Sequence, residues 1–463
     1  MRWWSPAQLL PRGRCWASAK TLNEKGTAVS KKYQKSMTVA PDAHGLTVPE
    51  HVTVAMAEIA GDMREGLLAL AVGAGLQVMS AMMDTDVTTL AGVKGKHDSD
   101  RIAVRHGHER GSVTLGGRRV PMERPRVRSA DGSGELPVPA YELFSSTEIL
   151  GRMAMDRMLA GLSTRRYSIG LEPVGQQVTE VATATSRSAV SRKFVAQTET
   201  ALAGLLSADL STLDLVALMI DGVHFAESCC VVALGIDLQG TKHPLALVEG
   251  STENATLTTD LLVGLRDRGL DVTRPILVVL DGSSALRKAV VDVFDHPILA
   301  RCQLHKIRNV QDKLPQHLRV PVGTKMRAAY HADSALLAQA QLQALARELD
   351  KTHPRVAASL REGMTETLTV LRLGVPPTLA RTLRSTNAIE SMIGVCRQRS
   401  ANVKRWRDGQ MAMRWCAAGM VEAGKQFRRV NGHLHLPTLR AALEREVAET
   451  VGATCHDDQV SVA

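Results

Sequence analysis

A chain of 463 residues, 44% of them hydrophobic, is long enough for several domains and a sizeable core. Its seven cysteines follow no framework spacing, which argues against a disulfide scaffold and for a reduced compartment; with only 3% aromatics, Leu, Val, Ala and Met must fill the core. Lys and Arg outnumber Asp and Glu 57 to 47, a net charge of +10 that favours a polyanionic partner without naming one.

Residues 1–50 are polar, and the basic, acid-free start MRWWSPAQLLPRGRCWASAK has no apolar centre of the kind a secretory signal needs. This segment reads as a poorly ordered leader or an over-long start. Residues 51–95 read as one or two helices. Within them GLLALAVGAGLQVMSAMM (66–83) reaches transmembrane length, but three glycines, Gln77, Ser80 and the flanking Glu65 and Asp84 point to a buried or dimer-packing helix and no membrane span. A basic block at 101–129 carries eight Arg against two Glu, and SVTL and RRVPM flank Gly116–Gly117 as the arms of a tight hairpin.

From 141 to 205 the pattern is helical. Residues 175–198 resemble a helix-turn-helix: TEVATA, then TSRS, then AVSRKFVAQT, with Ser186, Arg187, Ser191, Arg192 and Lys193 able to face a duplex. A basic, solvated helix pair accounts for the same residues. Five strands follow at 213–221, 228–240, 242–250, 275–281 and 298–303, with amphipathic helices at 254–270 and 283–294. The first three strands are joined by short turns and the last two reached by crossovers, an α/β arrangement. Residues 305–383 look wholly helical, and helices at 386–400 and 408–430 follow.

This strand order matches a ribonuclease H-like fold, in which the first and fourth strands lie side by side. Both end on an Asp-Gly pair, Asp221–Gly222 and Asp281–Gly282. Asp-Gly is common turn chemistry. Placed at the carboxyl ends of neighbouring strands, the two carboxylates would also form a site where open α/β sheets bind ligands, and a hard divalent cation such as Mg²⁺ would neutralise them. A third acid for a two-metal phosphoryl-transfer site is Glu390, on the polar face of the 386–400 helix. Asn387 as N-cap with Glu390 three residues later is equally a capping box. Cys302 and His305 form a Cys-x₂-His pair that lacks two further ligands at zinc spacing, and Cys302 also fits a core position. His224 reads as structural. Charge is segregated: twelve acids against six bases over 211–300, seven bases against one acid over 381–407. Trp406 and Trp415, set among Arg and Lys, are candidates for base stacking, with packing the better assignment for Trp415.

MIDGVHF, VLDGSSALRKAV, RCQLHKIRNV and LRSTNAIES, in this order and spacing, resemble the mutator-type transposases of bacterial insertion sequences. The resemblance covers roughly 50–445, and the ordered set is far more specific than any single motif. It implies a catalytic, metal-binding triad of Asp221, Asp281 and Glu390, a helical insertion before Glu390, and a supporting role near the site for Cys302, His305 and Asn387. Where many members carry a tight Arg cluster after the glutamate, this chain spreads Arg397, Arg399, Lys404, Arg405 and Arg407 along CRQRSANVKRWR.

The expected organisation is a leader (1–50), a mixed α+β DNA-binding region (51–205), a ribonuclease H-like core (206–312), an all-helical insertion (313–384), the glutamate helix with C-terminal helices (385–445) and a tail (446–463). The expected activity is nicking at the terminal inverted repeats of an insertion sequence and strand transfer into target DNA, with two Mg²⁺ or Mn²⁺ ions. Arg118, Arg119, Arg124, Arg126, Arg187, Arg192, Lys193, Arg397, Arg399, Lys404 and Arg405 are the expected DNA contacts. A homodimer or higher oligomer working on cytoplasmic, nucleoid DNA completes the expectation. The rivals are a non-catalytic DNA-binding protein, domesticated or decayed, and a structure-specific nuclease of the same fold.

Overall fold

The computed structural model describes residues 50–96 and 101–460. The leader expected over 1–50 lies, Glu50 apart, outside the described residues. The chain divides into two units, Met1–Gly73 and Ala74–Ala463, and the division falls within the first helix, α1 (Glu50–Ala91). This single helix replaces the one or two expected. Ile59, Met63, Leu67, Leu70 and Val78 along it are exposed, so of the two expected alternatives, a buried or a dimer-packing helix, these residues do not fit burial within this chain. By length and composition, Ala57–Ala91 is long and apolar enough to cross a membrane. Its last turns differ: Met83, Val87 and Ala91 are buried with Ala103, Val127, Val138 and Ala140.

Ala103 and Val127 belong to the basic hairpin, β1 (Ala103–Leu115) and β2 (Arg118–Ser129). Leu115 pairs with Arg118 across Gly116 and Gly117, whose φ values of 54° and 79° suit a two-residue turn with both central residues left-handed. A short β3 (Glu135–Leu136) pairs with β2. Then come α2 (Pro139–Ser145), α3 (Glu148–Leu159), α4 (Gln176–Val181) and α5 (Arg187–Ser207). The last two are the helix-turn-helix-like pair, with Ala184 at φ 70° in the turn and the Ser186 hydroxyl capping α5 by accepting from the Ala189 amide.

A five-stranded sheet follows, built from β4 (Leu215–Phe225), β5 (Ser228–Asp237), β6 (Lys242–Gly250), β7 (Ile276–Leu280) and β8 (Pro297–Arg301). Its order is β6-β5-β4-β7-β8, antiparallel across β6-β5-β4 and parallel across β4-β7-β8. The first and fourth strands read from sequence are thus neighbours at its centre. Helix α6 (Ala255–Asp267) links β6 to β7, and α7 (Ser284–Val293) links β7 to β8. These two cover one face, burying Leu262, Leu265, Leu286 and Val290 against Leu218, Ile220 and Val278.

The tract read as helical is so: α8 (Gln303–Asp312), α9 (Gln316–Ala329), α10 (Ala335–Asp350), α11 (Pro354–Arg361), α12 (Met364–Thr367), α13 (Thr369–Arg372) and α14 (Pro377–Leu383). It holds a core of its own around Ile307, Met326, Leu342, Leu345 and Leu360. Two buried cations brace it: Arg301 at the end of β8 donates to the Glu362 carbonyl and ties the tract to the sheet, while within the tract the Lys306 ammonium bonds the carbonyls of Ser359 and Glu362. The chain then returns to the sheet's second face with α15 (Asn387–Arg399), α16 (Gly409–Gln426) and α17 (Leu436–Val460). Ile389, Met392, Ile393, Cys416, Met420 and Leu439 pack there on Ala217, Met219 and Val223. The molecule is a mixed α/β protein, with helices on both faces of its larger sheet.

Four aromatic rings bind the earlier helices to this face. Phe194 of α5 packs on Trp415 of α16 at 4.6 Å between centroids, and Trp406 lies 4.9 Å from Phe225 and 6.5 Å from Trp415. Both tryptophans pack, so the stacking expectation for Trp406 is corrected. Trp415 is buried where α5 meets α16, so Trp415→Ala is expected to lower stability by about 3–5 kcal/mol, with Trp415→Phe costing less. Denaturant unfolding of the two variants checks this.

Candidate active site

The two Asp-Gly pairs have different local structures. Gly282 has φ 115° and makes a real turn out of β7, immediately after Asp281. Gly222 is an ordinary strand residue, paired with Val231, and β4 continues to Phe225. Asp221 therefore stands inside its strand, not at its end, and the turn explanation does not apply to it. The site opens because β4 and β7 pair only over Ala217–Met219 and Leu277–Val279. Beyond Met219, β4 stays with β5 while β7 stops at Leu280, so Asp221 and Asp281 lie just past the segment where the two strands pair.

Both carboxylates are held by amides: Gly222 donates to Asp221 Oδ1 at 2.8 Å, and Ser283 to Asp281 Oδ1 at 2.9 Å. Burial first, and then the negative charge of Asp281, push the Asp221 carboxyl up to about 7; the Gly222 amide and His305 act the other way. Glu253, from the loop after β6, adds a further negative charge. Its own carboxyl is raised by burial and by Asp281, and its Oε1 is buried without a hydrogen-bond partner. Carboxylates are the kind of donor that Mg²⁺ or Mn²⁺ prefers.

Glu390 enters from α15. The helix N-cap is Thr386, not Asn387, and it makes no side-chain cap bond, so the capping box is absent. Thr386 is buried, and its hydroxyl donates to Glu390 Oε1 at 2.7 Å. His305 Nδ1 lies 3.3 Å from the Thr386 hydroxyl oxygen, within hydrogen-bond reach. The Cys302 sulfur lies 3.4 Å from it, and His305 Nε2 lies 3.7 Å from Glu390 Oε1. Cys302, His305 and Glu390 have donor atoms within 4.8 Å of one another and could converge on an ion, but the Thr386 hydroxyl already links them. The His305 imidazole is raised by its bond to Cys302 and by the charges of Cys302, Glu390 and Asp281, against burial. Burial opposes the change at Cys302, where hydrogen bonds from His305 and Thr386 lower the thiol. Through His305, the Glu390 cluster and the aspartate pair form one electrostatic neighbourhood. Asn387 is exposed at the start of α15, and His224 is exposed on β4.

The basic residues fall into distinct groups. Arg118 is buried, its Nη1 donating to the Glu172 carbonyl at 2.6 Å, and this corrects its assignment as a phosphate contact. Arg119 is half-buried on Ser112 Oγ and the Ser145 carbonyl. Arg124 and Arg126 pair with Glu109 and Glu135, so the hairpin neutralises much of its own charge. Arg187 and Arg192 are exposed on the first turns of α5, while Lys193 is half-buried with its ammonium 3.4 Å from the Ala184 carbonyl. Arg397, Lys404 and Arg405 are exposed; Arg399 is half-buried and donates to the Leu159 carbonyl at 3.4 Å. Sequence reasoning missed a basic cavity of 480 Å³ beside α15, where Lys242, Arg381, Arg428 and Arg429 gather around Asn387 and Ser391. It also missed Thr386 and Glu253. Thr386 was readable in principle from its place four residues before Glu390.

The sequence model described as "Transposase, Mutator family" matches residues 54–430. The chain belongs to that family. It is 26% identical over 370 residues to the transposase for insertion sequence element ISRM5 of Rhizobium meliloti (strain 1021), covering 79% of this chain and 89% of the relative. The transposase for insertion sequence element IS6120 of Mycolicibacterium smegmatis is 29% identical over 252 residues, 53% of this chain and 75% of the relative. The transposase for insertion sequence element IS256 in transposon Tn4001 of Staphylococcus aureus is 23% identical over 335 residues, 70% of this chain and 82% of the relative.

The raised Asp221 carboxyl gives this mutator-family chain a pH signature. Its folded-state value, about 7, exceeds the ordinary 3.8, so its contribution to stability is full below about pH 4 and is lost as pH rises through about 7. In EDTA, Asp221→Asn is expected to stabilise the protein at pH 8, on the order of 2–4 kcal/mol, with a gain that shrinks steadily below pH 7 and is small at pH 4. Unfolding midpoints at the two pH values check this; an equal loss at both would contradict it.

Proposed function

We propose that this mutator-family transposase has a ribonuclease H-like core and performs divalent-metal-dependent nicking and strand transfer with Asp221, Asp281 and Glu390. The observation carrying the reading is the aspartate pair on adjacent central strands, close enough for Asp281 to raise the Asp221 carboxyl. Two Mg²⁺ or Mn²⁺ ions held by the three carboxylates would supply the charge neutralisation and the activation of oxygen nucleophiles that phosphodiester chemistry requires. The remaining work falls to the chain. Asp221 and Asp281 are fixed by backbone amides, and Thr386 holds the Glu390 carboxylate in one orientation. Water cleaves the phosphodiester at an element end, and the freed 3′-hydroxyl then attacks a target phosphodiester.

The exposed Arg187 and Arg192 at the start of α5 are placed to read terminal inverted repeats, as the first turns of a recognition helix do. Arg397, Lys404, Arg405 and the basic cavity beside α15 offer phosphate contacts next to the carboxylates. Joining two element ends calls for at least two copies. Met63, Leu67 and Leu70, spaced 4 and 3 residues apart on α1, give an exposed apolar stripe for a second copy to cover. The setting is cytoplasmic, on nucleoid DNA.

Two experiments test this. On a labelled duplex carrying the element's terminal repeat, wild type should nick and join with Mg²⁺ or Mn²⁺. Glu390→Gln and Asp281→Asn should bind the same duplex but cut it about 100-fold more slowly or worse. Wild type that binds without cutting under either metal would favour the non-catalytic DNA-binding protein. In light scattering, Leu67→Glu combined with Leu70→Glu should turn an oligomer into a monomer; an unchanged mass would remove α1 from the interface.

A further inference from the structure

We infer that the basic cavity beside α15 holds the sugar-phosphate backbone of DNA outside the element, on the far side of the cut from the terminal repeat. The inference rests on the proposed nicking and joining function and deepens it by naming the DNA that the cavity serves. The cavity walls come from three chain segments: Lys242 at the start of β6, Arg381 with Asn387 and Ser391 on α14 and α15, and Arg428 with Arg429 just past α16.

Its cations are not neutralised in place. Arg381, Arg428 and Arg429 are exposed, Lys242 is half-buried, and no carboxylate among the described residues lines the 480 Å³ between them. The hairpin differs, since Arg124 and Arg126 there face Glu109 and Glu135. Lys242 rests on a ring instead, its ammonium 4.8 Å from the centroid of Phe427. The walls are fixed without a ligand. The Val430 amide donates to the Gly240 carbonyl at 2.9 Å, and the Thr382 hydroxyl donates to the Asn431 carbonyl at 3.2 Å. Fixed cations with hydroxyl and amide groups between them suit phosphodiesters, whose contacts position a strand without reading its sequence.

Placement decides which DNA this is. Helices α15 and α16 run antiparallel: a Cβ on Gly419 would meet Cys396 Cα at 2.7 Å, and the start of α15 shares the cavity with the end of α16. Gly424 lies against Pro244 and Gly409 against Glu249, so β6 runs opposite to α16 and brings Lys242 to the same end. The other end of the helix pair meets the earlier helices. Arg399 and Asn402 bond the carbonyls of Leu159 and Met158 on α3, and Trp415 packs on Phe194 of α5. Arg187 and Arg192 precede Phe194 on that helix. Glu390 stands between the two ends, about 4.5 Å along the helix axis from Asn387 and about 14 Å from Arg399. A duplex read at α5 and cut beside Glu390 therefore continues toward the cavity. The DNA met there lies beyond the end of the element, where sequence differs from site to site and phosphates are the constant feature.

Two sources share this chemistry, the flank still attached before the cut and the target duplex after it, and the test has an arm for each. In EDTA, the full chain is titrated with a repeat duplex ending at the cut site and with one extended by a helical turn of arbitrary sequence. The extension should strengthen wild-type binding about tenfold. Arg428→Ala combined with Arg429→Ala should lose that gain, with the salt slope on the extended duplex falling by about 2. Arg381→Gln, on a separate segment, should act in the same direction and decides the matter if the double variant does not fold. The second arm is joining of a pre-cut repeat to a plasmid with Mn²⁺. A drop of about tenfold there assigns the cavity to target DNA, and a loss confined to the first arm assigns it to the flank. An equal loss on both duplexes, or variants that match wild type in both arms, would overturn the inference and leave the proposed function standing. The first arm needs no catalysis, so it decides the role of the cavity even if wild type neither nicks nor joins.

Discussion

Like charges forced together inside a protein must be neutralised, and the centre of this fold is arranged around that constraint. Asp221 and Asp281 come from neighbouring strands that pair for three residues, and both lie just past the paired segment, half-buried. Two backbone amides hold them, yet the Asp221 carboxyl is still pushed up to about 7. Amides orient the pair without cancelling its charge. Under the proposed function, a dication bound there would offset this repulsion.

The rest of the molecule delivers other groups to this site. Between Asp281 and Glu390 the chain builds a helical lobe with its own core, fastened by Arg301 and Lys306 through carbonyls at the end of α11. Burial pushes the Lys306 ammonium down to about 8, a sign of how thoroughly that anchor is removed from water. The lobe returns the chain at Thr386, whose one hydroxyl ties Glu390 to Cys302 and His305 at the start of α8. The Cys-x₂-His pair is thereby a bracket for the glutamate helix. The neutral, buried face of α15 packs on the sheet, and its exposed face carries Asn387 and Ser391 into the basic cavity.

Strands, crossovers and both aspartates were legible in the sequence because continuous apolar runs bounded by turn residues mark buried strands well. Asp221 was readable as a site residue but not as a mid-strand one. A run ending in Asp-Gly looks like a strand end, and only the pairing of Gly222 with Val231 shows that the ladder continues. The hairpin arginines misled for a related reason. Composition shows their charge but not their partners, and Arg118 spends its guanidinium on a buried carbonyl while Arg124 and Arg126 meet glutamates across the strands. Lys242, Arg381, Arg428 and Arg429 come from three separate stretches, so no window of sequence contains the cavity they form. The apolar run of α1 was visible, but whether it lies inside the chain or on its surface is a property of tertiary packing.

The central claim is that the site formed by Asp221 and Asp281 is a divalent-cation centre. Anomalous diffraction from crystals soaked in Mn²⁺ tests it most directly. The account predicts anomalous density in contact with the carboxylates of both Asp221 and Asp281. Density confined to Cys302 and His305, or none at the aspartate pair at saturating Mn²⁺, would contradict it.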